Sequence, residues 1–271
     1  LDAAAGARTA DREPRMDFVT LDYPWVVWRD IRESNRYRWD AFALNIATAE
    51  VRNLSLNPVT GERDWGGVLK VDLLGTMAVF DISMGGGSEP VVEDIVMVDL
   101  ATNVHTKLTN ATGGQTYPTI TPHWIAWWDQ RNHPDPTCQW PWGCSSDIYG
   151  YNRDTGETQA LVIAGDSMQG PTVDGEGDWI AYDDQRDGTD VTHYRDREQD
   201  IYALHLATMT EIRVTDWPGF ELQPRVANRG GGTYSVLLVQ EIDYGRAEYR
   251  LWDCTLPEPA AEGVARRAVA V

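Results

Sequence analysis

Short apolar and aromatic runs recur along this chain, each closed by a polar residue or an acid. They are WVVW at 25–28, MAVF at 77–80, WIAWW at 124–128, WIAY at 179–182 and YSVLLV at 234–239. Each is too short for a helix and rich in the β-branched and aromatic residues that suit a pleated, half-buried surface. No stretch of helical length shows a 3.6-residue period, so the pattern predicts strands throughout.

The runs belong to a repeat. An acid followed by an apolar alternation gives WDAFAL at Asp40, EDIVMV at Asp94, SDIYGY at Asp147 and QDIYAL at Asp200, with steps of 54, 53 and 53 residues. A weaker copy, AEYRLW, lies near Glu248. A second marker keeps the same step: Pro118, Pro171 and Pro224 are each 53 apart, and Pro14 lies about two periods before Pro118. Each unit reads as four strands, the first following the proline (PTITP, PTVDG, PRVAN) and the third and fourth joined by ATAE, ATNV, DTGE or ATMT, the chemistry of tight turns.

Four-stranded units at this period are the signature of propeller blades. The expected fold is therefore all-β: one five-bladed β-propeller of four-stranded antiparallel blades, with about 53 residues per repeat. It is read as a single domain over 1–271, with blades near 12–55, 65–110, 115–163, 168–216 and 221–271. The N-terminal segment 1–11 is expected to help close the ring, because ARTAD at 7–11 resembles the fourth-strand ending IRVTD at 212–216.

Charge narrows the partners. The formal net charge is −19, which speaks against nucleic acid, whose phosphates are held by clustered Lys and Arg. No apolar run reaches the length of a membrane span. The chain opens on Leu1 and not on Met, as a processed chain or an excised piece would, and any signal peptide would lie outside it. Cys138 and Cys144, six apart in a loop tied by Pro141 and Gly143, are read as a local disulfide, which places the chain in an oxidising compartment. Cys254 is left over, either buried or paired with another chain.

The repeat resembles that of TolB-like propellers of bacterial and archaeal periplasmic and surface proteins. The residues that carry the resemblance are WIAWWDQR with DIYGY and WIAYDDQR with DIYAL; VVWRDIR with WDAFAL is a fair match, the second unit, AVFDISMGGGSEPVVEDIVM, loses the Arg, and the fifth loses most of the pattern. The resemblance implies a periplasmic or extracellular chain that serves as a binding platform, alone or within a larger envelope or surface assembly.

Two sets of residues are singled out. The first is the repeated Asp-x-Arg frame: Asp30 and Arg32, Asp129 and Arg131, Asp184 and Arg186. A carboxylate beside a guanidinium can close a strand-to-strand turn, so this frame is assigned to structure. The second is the filling between second and third strands, which varies over that fixed frame. It holds Arg36, Tyr37, Trp39, His133, Trp140, Trp142, His193, Tyr194, Arg195 and Arg197. Aromatics with Arg make binding hot spots and sugar-stacking platforms, so these residues are expected to form a ligand face for a protein or a glycan. The alternative for Trp140 and Trp142 is a packed cap over the blades.

The alternative function is a carbohydrate-active enzyme, a glycoside hydrolase or lyase with axial carboxylates. Its candidates are Asp11, Glu13, Asp64 and Glu221, just ahead of the first strands. The same acids could instead hold Ca²⁺. No calcium loop, nucleophile elbow or phosphate loop is present, and GGGSEP at 85–90 reads as a flexible turn. No catalytic residue and no metal ligand is assigned.

Overall fold

The computed structural model describes residues 16–31, 39–56, 67–86, 89–133, 146–163, 172–186, 199–241 and 249–258. These residues form nineteen strands: β1 (Met16–Asp22), β2 (Trp25–Asp30), β3 (Asp40–Asn45), β4 (Glu50–Asn53), β5 (Val71–Leu74), β6 (Met77–Gly86), β7 (Glu89–Asp99), β8 (Val104–Lys107), β9 (Gln115–Ile120), β10 (Trp124–Asp129), β11 (Asp147–Asn152), β12 (Thr158–Val162), β13 (Val173–Glu176), β14 (Trp179–Asp184), β15 (Asp200–His205), β16 (Thr210–Arg213), β17 (Phe220–Gly230), β18 (Thr233–Glu241) and β19 (Tyr249–Thr255). They build five antiparallel sheets in plain chain order: β1–β4, β5–β8, β9–β12, β13–β16 and β17–β19. Each sheet is one repeat of the sequence. The last has three strands among the described residues.

The chain divides into two compact units, Leu1–Ile120 with Asp135–Gln139, and Thr121–Pro134 with Trp140–Val271. In the first, Val27, Ala41, Ala43, Leu54, Val71, Phe80, Val96 and Val98 make one apolar cluster between the first two sheets. In the second, one cluster joins Trp124, Ile148, Ile180, Tyr182 and Leu204, and another joins Trp179, Ile201, Val236, Leu238 and Cys254. The second strand of each repeat supplies both faces: β10 and β14 are buried along their whole length. This is why the apolar runs are continuous rather than alternating. Burying one such side chain contributes about 1.5–3 kcal/mol.

The turns from third to fourth strand obey one rule. Asn45, Asp99 and Asn152 each accept backbone N–H groups from the turn that follows them, at 2.9–3.2 Å. A left-handed residue precedes the fourth strand in each four-stranded sheet, directly at Ala49 (φ 59°), Asn103 (φ 58°) and Met209 (φ 53°) and with Glu157 between at Gly156 (φ 77°). Only Asn and Gly adopt that conformation without strain.

Two expectations are corrected. Strands β9 and β17 do not start after their prolines; they begin at Gln115 and Phe220 and carry Pro118 and Pro224 inside them. Each proline follows a left-handed residue, Tyr117 (φ 53°) or Gln223 (φ 54°), and the pairing of β17 shifts register between Leu222 and Arg225. A bulge leaves one residue outside the ladder, and a residue with no N–H is tolerated there. Nor is 85–90 simply a turn: β6 and β7 run on as a long hairpin, with Met84 opposite Val92 and Gly86 opposite Glu89.

Candidate functional site

The site is built from the ends of the second and third strands. Asp30 and Asp40, Asp129 and Asp147, and Asp184 and Asp200 lie directly opposite each other at the last rung of their strand pairs. A tight turn could join such ends. The chain instead spends residues 130–146 and 185–199 on the third and fourth links.

In the third sheet Arg131 folds back on Asp129. Its backbone N–H and Nε donate to Oδ1, both at 2.9 Å, and Nη2 to Oδ2 at 2.6 Å. The Trp127 indole N–H donates to the same carboxylate at 2.8 Å, and the guanidinium lies 4.0 Å from the Tyr149 ring centre. Asp129 raises the Arg131 pKa further above its ordinary value. Asn132 donates to Asp147 at 2.7 Å, and the His133 N–H bonds the Gln130 carbonyl at 2.9 Å.

The fourth sheet repeats the device. Arg186 donates from its backbone N–H and Nε to Asp184 at 2.8 and 2.6 Å, lies 4.5 Å from the Tyr202 ring centre, and reaches Glu211 at 2.9 Å. Tyr182 donates its hydroxyl to Glu211 as well, and burial, then the Glu211 charge, pushes its pKa well up. Both carboxylates of the frame are fully buried while their guanidinia are about one-quarter exposed.

In three sheets the acid of the repeat marker is held from the fourth strand, which the sequence reading missed. Asn53 donates to Asp40, Lys107 pairs with Asp94 at 2.7 Å, and Arg213 pairs with Asp200 at 2.5 Å. Ser55, Thr109 and Thr215 bond the N–H of Ala41, Ile95 and Ile201 at 2.9–3.0 Å. The signal was present: these residues keep the repeat's step, but only contact shows what they hold.

Just inside this frame lies a second layer, also missed. It consists of the fifth residue of the second strand and the residue preceding the opening acid. In the first sheet these are Arg29 and Trp39: the guanidinium sits 4.4 Å from the Trp39 ring centre and 4.7 Å from that of Phe18, and donates to the Leu69 carbonyl at 2.5 Å. In the second they are Asp81 and Glu93, both buried. In the fourth they are Asp183 and Gln199, joined by a side-chain hydrogen bond. Burial pushes the Asp183 carboxyl up to about 7, despite the Thr172 N–H donating to it at 2.5 Å.

Of the proposed ligand-face residues, Trp39 and His133 lie within the described chain, Trp39 packed against the core and stacked with Arg29. Arg36, Tyr37, Trp140, Trp142, His193, Tyr194, Arg195 and Arg197 lie outside the described residues, as do Arg32, Cys138, Cys144 and the acids Asp11, Glu13 and Asp64. Glu221 is fully buried, with Thr215 donating to one oxygen at 3.3 Å and Gln240 to the other at 3.2 Å. Among the described residues, no three His, Cys, Asp or Glu side chains converge as metal ligands. No described helix is long and apolar enough to cross a membrane.

No protein-family model matches the sequence, and no curated protein matches it. Solved structures do. The chain is similar to a putative TolB from Agrobacterium tumefaciens, at 14% identity and a TM-score of 0.55, over 90% of this chain and 78% of that one. It is similar to the β-propeller domain of the Trilobed protease from Pyrococcus furiosus, at 11% identity and a TM-score of 0.58, over 89% and 69%. It is also similar to an oligogalacturonate lyase solved in complex with manganese, at 13% and 0.53, over 90% and 63%. At such identities the likeness is one of fold. The chain is a five-bladed, all-β propeller.

Proposed function

We propose that this propeller is a non-catalytic binding platform, secreted or periplasmic, that takes a protein or glycan partner on the links between its second and third strands. One observation carries the reading. The frame at the ends of these strands is held by residues within or next to the strands: Asp129 by Arg131 and Trp127, Asp147 by Asn132, Asp184 by Arg186, Asp200 by Arg213. Of the long links only the first residues, Arg131, Asn132 and Arg186, hold these acids, and the stretches beyond them are not needed for that. Ordering them costs roughly 1–2 kcal/mol per residue in backbone entropy, a cost that a partner would offset. Their tryptophans, tyrosines and arginines are of the types that dominate binding energy.

The enzyme reading loses one of its candidates, because Glu221 is enclosed and already accepts two hydrogen bonds.

Two measurements test the proposal. Replacing Trp140 and Trp142 together with Ala should abolish capture of partner on a glycan array or from the source's envelope fraction. Stability should stay within about 0.5 kcal/mol, as for an exposed site. A loss of about 3–5 kcal/mol per Trp would mean a packed cap and retire the reading for this link. The compartment rests on the Cys138–Cys144 bridge. In denaturant without reductant, one thiol should titrate; three would remove both the bridge and the oxidising compartment. In the folded protein Cys254 should stay unreactive, since it is buried in the core and burial pushes its thiol up to about 11.

A further inference from the structure

The chain carries two Asn-x-Ser/Thr triplets without proline in the middle, Asn53-Leu54-Ser55 and Asn110-Ala111-Thr112. On the surface of a secreted protein such a triplet is an acceptor for sugar transfer to the asparagine amide. The structure separates the two.

Asn53 is the last residue of β4. Both ends of its amide are engaged: the nitrogen donates to Asp40 at 3.4 Å and the oxygen accepts the Ser55 N–H at 2.9 Å. Leu54 and Ser55 are buried, and the Ser55 hydroxyl accepts the Ala41 N–H at 3.0 Å. The hydroxyl that completes this triplet is therefore enclosed, and a sugar on Asn53 would cost its bond to Asp40.

Asn110 follows β8 in the irregular link to β9, and both Asn110 and Thr112 are exposed. Among the described residues, the Asn110 amide and the Thr112 hydroxyl have no hydrogen-bond partner. The link is anchored on either side of them. Ahead, the Thr109 hydroxyl donates to Asp94 at 3.1 Å and accepts the Ile95 N–H at 2.9 Å. Behind, the Gln115 amide donates to the carbonyls of Thr112 and Gly113 at 3.4 and 2.9 Å. A firm base thus presents a free acceptor, and no strand has to open for it to enter a transferase.

We propose that Asn110 is a site of N-linked glycosylation and that Asn53 is not. The donor is an oligosaccharide carried on a polyprenyl phosphate or diphosphate. The Asn110 Nδ2 attacks the anomeric carbon, a carbon–nitrogen bond forms, and the bond from that carbon to the phosphate oxygen breaks. The polyprenyl phosphate or diphosphate leaves, and one amide proton passes to a base of the transferase. Nothing is oxidised or reduced. Thr112 supplies the hydroxyl by which the triplet is recognised. The site rests on the secreted or periplasmic placement proposed above, and not on the binding role.

Trypsin puts the two triplets in separate peptides, 53–63 and 108–131. In protein purified from its source, mass spectrometry should find 108–131 carrying sugar and 53–63 bare. Asn110→Gln and Thr112→Ala should each remove the sugar, and Thr112→Ser should keep it, all with the melting temperature of the parent. Folded protein given a transferase of Asn-x-Ser/Thr specificity and its lipid-linked donor should be modified at Asn110 alone, and unfolded protein at both asparagines. A bare 108–131 from the source overturns the site, as does a modification that survives Thr112→Ala. The thiol titration above separates the two failures. A bare peptide with one free thiol retires the site and leaves the compartment; a bare peptide with three retires both.

Discussion

Arg186→Ala lowers the unfolding free energy by about 3 kcal/mol, the scale for leaving one half of a buried ion pair without its partner. Asp184 is fully buried and takes two hydrogen bonds from Arg186, and Glu211 takes a third. Removing the guanidinium strands the first carboxylate away from water and exposes the face of Tyr202 that it covered. The double variant Asp184→Asn with Arg186→Ala recovers part of the loss, because no charge is then left buried. Urea unfolding of the single and double variants, followed by circular dichroism, gives both numbers. His123→Ala is the comparison: its pair with Asp154 is more than half exposed on both sides, and its loss changes stability by less than about 1 kcal/mol. An Arg186→Ala protein as stable as the parent would move this arginine out of the frame and into the candidate site.

The second large effect is on pH dependence in the second unit. The Asp183 carboxyl sits at about 7 in the folded protein against 3.8 when exposed, so folding takes up a proton between those values. Its contribution to stability therefore falls as pH rises from about 4 to about 7 and is constant above. The scale is about 1.4 kcal/mol per pH unit, on the order of 4 kcal/mol in all. Asp183→Asn should flatten that slope. Its amide oxygen still accepts from the Thr172 N–H, and Gln199 can turn its own amide to match the new donor. Asp99 acts in the opposite sense: its bonds from Thr102 and Ala101 hold its carboxyl below the usual range, so its contribution is lost only as pH falls. Melting temperatures of parent and variant from pH 4 to 8 separate the two. A parent curve that rises steadily to pH 8, with a variant curve parallel to it, would show that Asp183 ionises like an exposed acid.

Much of the fold is legible in the chain because the signals are local. Trp124 to Asp129 and Trp179 to Asp184 are apolar on both alternating sets of positions, which states that both faces are covered. Asp147 and Asp200 mark the first residues of β11 and β15. Thr-Gly at 155–156 announces a left-handed residue that the structure has at Gly156. The prolines misled. They lie inside β9 and β17, in β17 at a bulge, and a bulge depends on what the neighbouring strand does at that rung, so the proline alone does not report it.

The candidate site divides in the same way. Asp-x-Arg is visible as a repeated tripeptide, and its geometry is short-range: backbone and side chain of one residue bind the residue two before it. The donors to Asp94 and Asp200 lie on another strand, and nothing in Lys107 or Arg213 alone says which acid each will meet. The variable layer of Arg29, Asp81 and Asp183 was hidden for a related reason. Each is an ordinary polar residue at the end of an apolar run, and reads as the point where a strand reaches water.

From the sequence by itself follow the strand period, the order of strands within each sheet and the turn chemistry, because these depend on alternation and on residues a few positions apart. Tertiary structure alone decided what the polar residues at the strand ends became. Packing one sheet on the next removed Asp81, Glu93 and Asp183 from water and supplied three backbone donors to the first. Charge in a protein interior is governed by desolvation and by neighbours distant in sequence, and neither is written at the residue itself.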